Sequence, residues 1–465
     1  MLKNVTIFRA LFNAGTLHRL KTGKINKSFS ITQPKTYIST SKYSNKIISF
    51  YDTALLSKFA KKPIKNITSS HLLSFGVKPI TENKLLEYTR FCQTELPVRL
   101  AKRVVAFQNL PFIVGTNPHI FEVYRLYYEG FERLRMSKPV NTLEEQKKYS
   151  DLLLQIIQSL SQVIPSVAQG MLEASRYMKK ETTKKFLDDL IWSRIGLRVI
   201  GEHQVSLSKQ YDEQIQGIAQ SANKKSVKNA INSFNEMDWN GSINTNLKIA
   251  KLLEQSCLFV QNMCELHYGT SHCLSKNKSI TPQFIIDGDL ETEFSYIPSH
   301  IEYMSLEILK NAFRASAEYA IKSQGSSSSQ NNLYNLGFSD HTSCESSIEP
   351  IKLTITKGHG TVCIRIRDHG GGINAETSNS IFDYSYSTYH KKDDDNEGTL
   401  SLLSNLAVNN HGGGPIAGLG FGLPMTKLYA EYFGGSLDLF SIPAYGCDIF
   451  LKLPCIDKSL GDIQI

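Results

Sequence analysis

The stretch Glu307-Ile308-Leu309-Lys310-Asn311-Ala312-Phe313-Arg314 carries one repeating pattern. Glu307, Lys310, Asn311 and Arg314 are spaced i, i+3, i+4 and i+7, which puts all four on one face of a helix. Ile308, Ala312 and Phe313 fall opposite and are expected to pack inward. One reading of the polar face is a solvated stripe. The other is a carboxamide oxygen holding a Mg²⁺ that bridges phosphates, with a carboxylate beside it. The periodicity predicts a helix over about 299–321.

Three more motifs follow in order. A strand at 362–367 runs straight into Asp368-His369-Gly370-Gly371-Gly372. An acid at a strand end can accept from the exocyclic amine of adenine, and glycines let backbone approach the ring. Taken alone, the same residues read equally as a tight Asp-Gly turn. Phe382-Asp383-Tyr384-Ser385-Tyr386-Ser387-Thr388 opens a long loop whose hydroxyls could hold phosphate oxygens and whose aromatics could hinge it. Gly418-Leu419-Gly420-Phe421-Gly422-Leu423 leads into a helix, where closely spaced glycines expose N–H groups and the positive dipole end to an anion. Its spacing fits neither a dinucleotide fingerprint nor a Walker loop, and the His-Arg-Asp and Asp-Phe-Gly signatures of ordinary protein kinases are absent.

Around these motifs the pattern is mixed. Short strands are expected at 284–286 and 293–296, a hairpin at 351–356 and 362–367, a helix at 423–433, and strands at 437–441 and 447–453. This predicts an α/β sandwich, a mixed sheet with helices on one face. Two stretches interrupt it: 323–350, rich in Ser, Asn and Gln, reads as a disordered insert, and the long loop 383–417 reads as functional because such loops are otherwise uncommon. Before residue 273 the signal is helical. Phe121, Val123, Tyr124, Tyr127, Tyr128 and Phe131 follow amphipathic spacing after Asn117-Pro118, and 152–167, 186–205 and 247–266 repeat it in longer elements. A helical bundle over 51–272 follows.

The chain has 465 residues and a net charge of +9, 41% of them hydrophobic and 20% charged, so a disordered chain is excluded and a soluble globular protein is expected. No apolar run approaches a membrane span. The charge is local. The first fifty residues hold no Asp or Glu and nine bases, Lys3, Arg9, Arg19, Lys21, Lys24, Lys27, Lys35, Lys42 and Lys46. Removing those nine from the 52 Lys and Arg leaves 43, against 43 Asp and Glu. With Val5-Thr6-Ile7-Phe8 and Leu11-Phe12, residues 1–50 read as a mitochondrial transit peptide cut between 40 and 50. A basic arm touching nucleic acid or anionic lipid is the other reading. The eight cysteines form no Cys-x-x-Cys pair, which suits a reducing matrix rather than a disulfide framework. Cys264, His267, His272 and Cys273 are zinc-ligand types, but they lack a partner pair and read as a helix end.

Together the four ordered motifs resemble the asparagine, first glycine, phenylalanine and second glycine boxes of the GHKL ATPase superfamily. Leu96-Pro97-Val98-Arg99, Leu110-Pro111-Phe112-Ile113, Ile164-Pro165-Ser166-Val167-Ala168-Gln169-Gly170, Ser193-Arg194-Ile195-Gly196-Leu197-Arg198 and Gly420-Phe421-Gly422-Leu423-Pro424 extend the likeness. They resemble the mitochondrial 2-oxo acid dehydrogenase kinases, pyruvate and branched-chain, over about 51–454. The resemblance implies an α plus α/β architecture: a helical regulatory and lipoyl-docking domain at 51–272, a GHKL-type (Bergerat) ATP-binding domain at 273–456 with its lid at 383–417, and a tail at 457–465. It implies an ATP-dependent protein serine kinase of the matrix, acting on the decarboxylase α subunit of the pyruvate or branched-chain complex. It further implies lipoyl-domain docking, a homodimer, no nucleic acid, and Mg²⁺ with K⁺ as a further family cofactor. Asn311 would hold Mg²⁺, Lys310 and Arg314 would offset phosphate charge, and Asp368, with Gly370 and Gly372, would read adenine. Ser387, Thr388, Gly418, Leu419, Gly420, Phe421, Gly422 and Leu423 would close over the phosphates, with Glu307 as general base or as an orienter of metal-bound water.

The chain departs from that pattern at several places. Tyr303 stands where pyruvate dehydrogenase kinases carry a His one turn before the Glu, and Leu160 where several carry a His. Cys447 replaces a Thr near the adenine, and the only tryptophans are Trp192 and Trp239, so a C-terminal Asp-Trp is missing. These differences lean toward the branched-chain kinase and keep open an ATP-binding scaffold without transfer. With Arg194 and Arg198 retained, a helical-domain pocket for small oxo acids is expected in altered form. No His lies between His119 and His203, which argues against a histidine phosphorelay.

Overall fold

Caps written into the sequence start the helices of the first half. The computed structural model describes residues 50–219, 238–272, 281–330, 348–378, 380–384 and 420–456. In chain order come α1 (Phe50–Ala60), α2 (Ser69–Phe75), α3 (Glu82–Gln108), α4 (Phe112–Gly115), α5 (Pro118–Arg135), α6 (Leu143–Ser159), α7 (Val163–Glu173) and α8 (Lys180–Ala219). The Thr81 hydroxyl accepts from the Lys84 N–H at the start of α3. Asn117 does the same for His119 and Ile120 before α5, with Pro118 in the first turn, and Thr142 and Glu145 cap α6 reciprocally. Such caps contribute about 1 kcal/mol each. α3 packs on α5 and α8, α5 on α7 and α6 on α8, around the fully buried Tyr88, Tyr127 and Phe131.

Two expectations for this half are corrected. The segment 152–167 is not one helix: a 3₁₀ turn at Leu160–Gln162 separates α6 from α7. Pro165 lacks the N–H that a continuous helix needs, and the restart at Val163 puts it in a first turn, where none is required. Nor is the chain purely helical to 266. β1 (Trp239–Asn240) and β2 (Ile243–Lys248) precede α9 (Ile249–His272), and β2 pairs antiparallel with β4 (Glu293–Tyr296). Only Ile243 and Leu247 of β2 are buried, and a bulge falls between Asn244 and Leu247, so the alternation that marks a strand is erased.

The second half is a layer of helices on a mixed sheet. β3 (Phe284–Gly288), α10 (Pro298–Gln330), β5 (Ile351–Lys357), β6 (Thr361–Arg367), α11 (Ala375–Ser378), α12 (Gly422–Tyr432), β7 (Ser436–Ile442) and β8 (Gly446–Pro454) complete the chain. The five-stranded order is β3-β5-β6-β8-β7, with β3 and β5 parallel and the other pairs antiparallel. Val362, Ile364 and Ile366 are buried, paired in register with Leu453, Leu451 and Ile449. α9 and α12 pack on α10, whose Ile308, Ala312 and Phe313 are buried as their spacing predicts. Residue 330 ends α10 well past 321, while most of the insert and of the long loop, like 1–49 and 457–465, lie outside the described residues. No described helix is long and apolar enough to cross a membrane.

Candidate functional site

α10 supplies the polar face read from sequence. Lys310, expected to offset phosphate charge, instead has its ammonium 2.6 Å from Glu307 Oε1, with the two side chains only 6% and 12% exposed. Its nearest task is therefore to hold the carboxylate. Arg314 Nε lies 3.8 Å from Glu318 Oε1. Asn311 is half-buried one turn past Glu307, and its carboxamide has no hydrogen-bond partner among the described residues. A neutral amide oxygen left open beside a carboxylate suits a hard cation.

Asp368 stands where β6 ends, 6% exposed. Its Oδ1 accepts from the Gly370 N–H at 2.9 Å and from the Cys447 N–H at 3.3 Å, which leaves Oδ2 without a partner among the described residues. Burial pushes the carboxyl above the usual carboxylate range, and the two backbone N–H groups pull it partly back. A Cβ on Gly370 would overlap Ala315 of α10, so glycine there lets the loop close onto the helix that carries Glu307. Gly372 continues the turn at φ 69. Cys447 reaches Asp368 through its backbone. Its thiol, pushed up to about 11 chiefly by burial, is directed to Ser441 instead.

The second glycine motif meets the same carboxylate. Gly420 has φ 78, Phe421 is buried, and Gly422 opens α12 with Leu423 half-buried behind it. A Cβ on Gly422 would overlap Glu307 Oε2, so the glycine makes the space in which the carboxylate sits. Gly418, Leu419, Ser387 and Thr388 lie outside the described residues. The start of the third motif is described. Lys427 of α12 lies over the Phe382 ring at 4.9 Å, and Tyr384 packs 5.0 Å from Phe421 and donates to Asp188 of α8. Sequence reasoning missed Asp188. Its one signal was weak: Lys184, Asp188 and Trp192 recur every four residues on α8.

Tyr303 does not rebuild a His–Glu dyad. Its hydroxyl donates to Met425 Sδ at 3.6 Å and its ring lies 4.9 Å from Tyr429. Burial first, and the Glu307 charge second, keep that hydroxyl well above its ordinary pKa. In the helical half, Tyr127, Leu160, Arg194 and Arg198 line a cavity of about 30 Å³, and Arg194 donates to the Leu160 carbonyl. That is room for about two waters. His203, the one histidine of α8, is fully buried and held down to about 4 by desolvation, so it offers no phosphorelay acceptor. The described residues contain no group of His, Cys, Asp or Glu placed to hold a metal, and Cys273 lies outside them.

These two halves match two family models. Residues 66–244 match the mitochondrial branched-chain alpha-ketoacid dehydrogenase kinase model, and residues 297–456 the histidine kinase-, DNA gyrase B-, and HSP90-like ATPase model. Relatives match across both halves. A mitochondrial [pyruvate dehydrogenase (acetyl-transferring)] kinase of Arabidopsis thaliana is 27% identical over 404 residues, 86% of this chain and 91% of its own. Kinase 1 of that name from Saccharomyces cerevisiae is 27% identical over 400 residues, covering 86% of each chain. Isozyme 4 from Mus musculus is 24% identical over 418 residues, 88% of this chain and 84% of its own. Glu307, Asn311, Asp368 and the Gly420–Gly422 turn all fall within the ATPase match, where Gly422 abuts Glu307 and Gly370 abuts Ala315 of the same helix, and a helical bundle precedes them. The chain belongs to the mitochondrial 2-oxo acid dehydrogenase kinase family, with the ATP-binding domain of the GHKL superfamily.

Proposed function

We propose that this protein is an ATP-dependent serine kinase that phosphorylates and inactivates the decarboxylase α subunit of the mitochondrial pyruvate dehydrogenase complex. The observation that carries the reading is the meeting of both glycine motifs with one stretch of α10: Gly422 abuts Glu307, Gly370, held by Asp368, abuts Ala315, and Asn311 lies between those two positions. Asp368 Oδ2 accepts from the adenine amine. Asn311 would hold Mg²⁺ through its carboxamide oxygen, and the bound cation would neutralise charge on the transferred phosphoryl group. Glu307, oriented by Lys310 and by the space at Gly422, is the general base toward the substrate serine hydroxyl. A positioned base contributes about 10²–10⁴-fold. The N–H groups at the start of α12, which have no side-chain cap among the described residues, and, from the third and fourth motifs, Ser387, Thr388, Gly418 and Leu419 surround the phosphates. K⁺ rests on the family resemblance alone.

The division at 272/273 belongs one segment earlier in this reading. The β1–β2 hairpin and α9 pack with the ATP-binding half, so that half begins near 238. The acid-free leader addresses the chain to the matrix, where it docks on lipoyl domains and pairs with a second copy. A second reading, the branched-chain complex as substrate, is favoured by Tyr303, whose hydroxyl is engaged by Met425 rather than by Glu307. Radiolabelled ATP with purified pyruvate and branched-chain complexes in parallel tests both. Label on the pyruvate decarboxylase subunit supports the first reading, label on the other supports the second, and label on neither overturns the kinase.

A further inference from the structure

One face of α8 is aimed at the ATP-binding half. Lys184, Asp188, Trp192 and Gly196 recur every four residues along it, the spacing of a single helical stripe. All four meet the second half. Lys184 Nζ is 3.3 Å from Asp383 Oδ1, the Tyr384 hydroxyl donates to Asp188 Oδ1 at 2.5 Å, and Trp192 lies 4.8 Å from the Tyr432 ring at the end of α12. A Cβ on Gly196 would press on the Tyr432 hydroxyl at 2.6 Å and on Arg99 at 2.7 Å.

These contacts are unequal. The Lys184–Asp383 pair is about half exposed at both ends, and pairs of that kind contribute little. Tyr384 is different. It is half-buried, its donor meets a carboxylate 196 positions earlier in the chain, and its ring packs 5.0 Å from Phe421. Phe421 is buried, its carbonyl accepts from the Met425 N–H, and the next residue is Gly422, which abuts Glu307 Oε2. Met425 in turn accepts from Tyr303. Asp188, Tyr384, Phe421, Gly422 and Glu307 therefore form an unbroken series of contacts from the helical half to the proposed base.

We infer that Tyr384 is a positioning residue, tied by its hydroxyl to Asp188 of α8, that holds Phe421 and thereby sets the second glycine motif for nucleotide. It rests on the nucleotide-binding kinase reading and deepens it. Tyr384 touches no reacting atom. Its effect reaches the phosphates through Phe421, so it is read in nucleotide affinity before turnover. The helical half thus has a direct hold on ATP binding, and a ligand or partner that shifts α8 along its axis changes that affinity by linkage.

The test uses the full mature chain and Mg²⁺–ATP. Tyr384→Phe keeps the ring against Phe421 and removes only the hydroxyl. Asp188→Ala removes the acceptor, while Asp188→Asn keeps an acceptor oxygen. A hydrogen bond to a charged group is worth enough to predict about a tenfold rise in ATP dissociation constant and KM for both Tyr384→Phe and Asp188→Ala. Asp188→Asn recovers most of that loss, kcat at saturating ATP falls less than KM rises, and the double variant is no worse than either single. A melting temperature held within a few degrees excludes general unfolding. In a Trp239→Phe background, Trp192 fluorescence responds to ATP, and Tyr384→Phe weakens the response. Unchanged ATP affinity in Tyr384→Phe and Asp188→Ala, or losses that multiply in the double variant, overturns the inference. A wild-type chain that neither binds ATP nor transfers phosphate overturns the kinase reading instead, so the two failures are distinct.

Discussion

Gly422→Ala is the sharpest perturbation of the proposed base. An alanine Cβ there would overlap Glu307 Oε2, so the carboxylate must retreat by about 1 Å to reach ordinary contact. It has little freedom to do so. Its other oxygen is 2.6 Å from the Lys310 ammonium, and both side chains are almost wholly enclosed. A reacting group misplaced by about 1 Å costs about a hundredfold in rate. The backbone pulls the other way, because replacing glycine by alanine in a helix gains up to about 1 kcal/mol. The expected result is a split: kcat falls about a hundredfold while thermal stability stays level or rises. Steady-state kinetics on the purified complex and a calorimetric melt measure both. Shortening the carboxylate in Glu307→Asp makes room for the methyl, so the double variant should be no slower than Gly422→Ala alone. A kcat within about threefold of wild type refutes the reasoning, because the carboxylate would then be unconstrained. A rate loss accompanied by a large fall in melting temperature refutes it too, since disruption of α12 would explain the loss.

Asn311→Ala is expected to abolish Mg²⁺-dependent transfer without a change in urea denaturation, since the carboxamide has no protein partner to lose among the described residues; a stability loss above about 1 kcal/mol would argue for a structural role instead. Asp368→Ala removes the group that pairs with Gly370 and Cys447, and titration calorimetry should show ATP binding weakened about ten- to a hundredfold; unaltered binding would remove Asp368 from the adenine site. Stability should also depend on pH through two buried histidines. Desolvation takes His300 down to about 3 and His203 to about 4, from an ordinary 6.5. The unfolded chain therefore binds more protons below 6.5, so their contribution is intact above that pH and is lost as pH falls toward the folded values. One unit below the unfolded value each histidine costs about 1.4 kcal/mol. His300→Phe, set against Tyr429 and Phe433, should flatten the acid limb in urea melts, and an unchanged slope would refute the assignment.

Local pattern carried much of this protein in plain view. Helical spacing at 307–314 put the polar face on α10 and its partners inside, because a face is a property of 3.6-residue periodicity and needs no distant contact. Alternation did the same for β5, β6, β7 and β8, and the acid-free first fifty residues stand apart from the rest by charge alone. The strands β1 and β2 stayed hidden because pairing with each other, and of β2 with β4, rather than their own alternation, makes them strands. What Lys310 does was equally invisible. Composition says only that it is a cation, and burial against Glu307 decides that it holds a carboxylate. Asp188 and Tyr384 stand furthest from any local signal. They are 196 residues apart, and no periodicity relates them. Only the packing of α8 against the ATP-binding half brings a hydroxyl to that carboxylate, because long-range contacts follow from how whole elements bury their faces together.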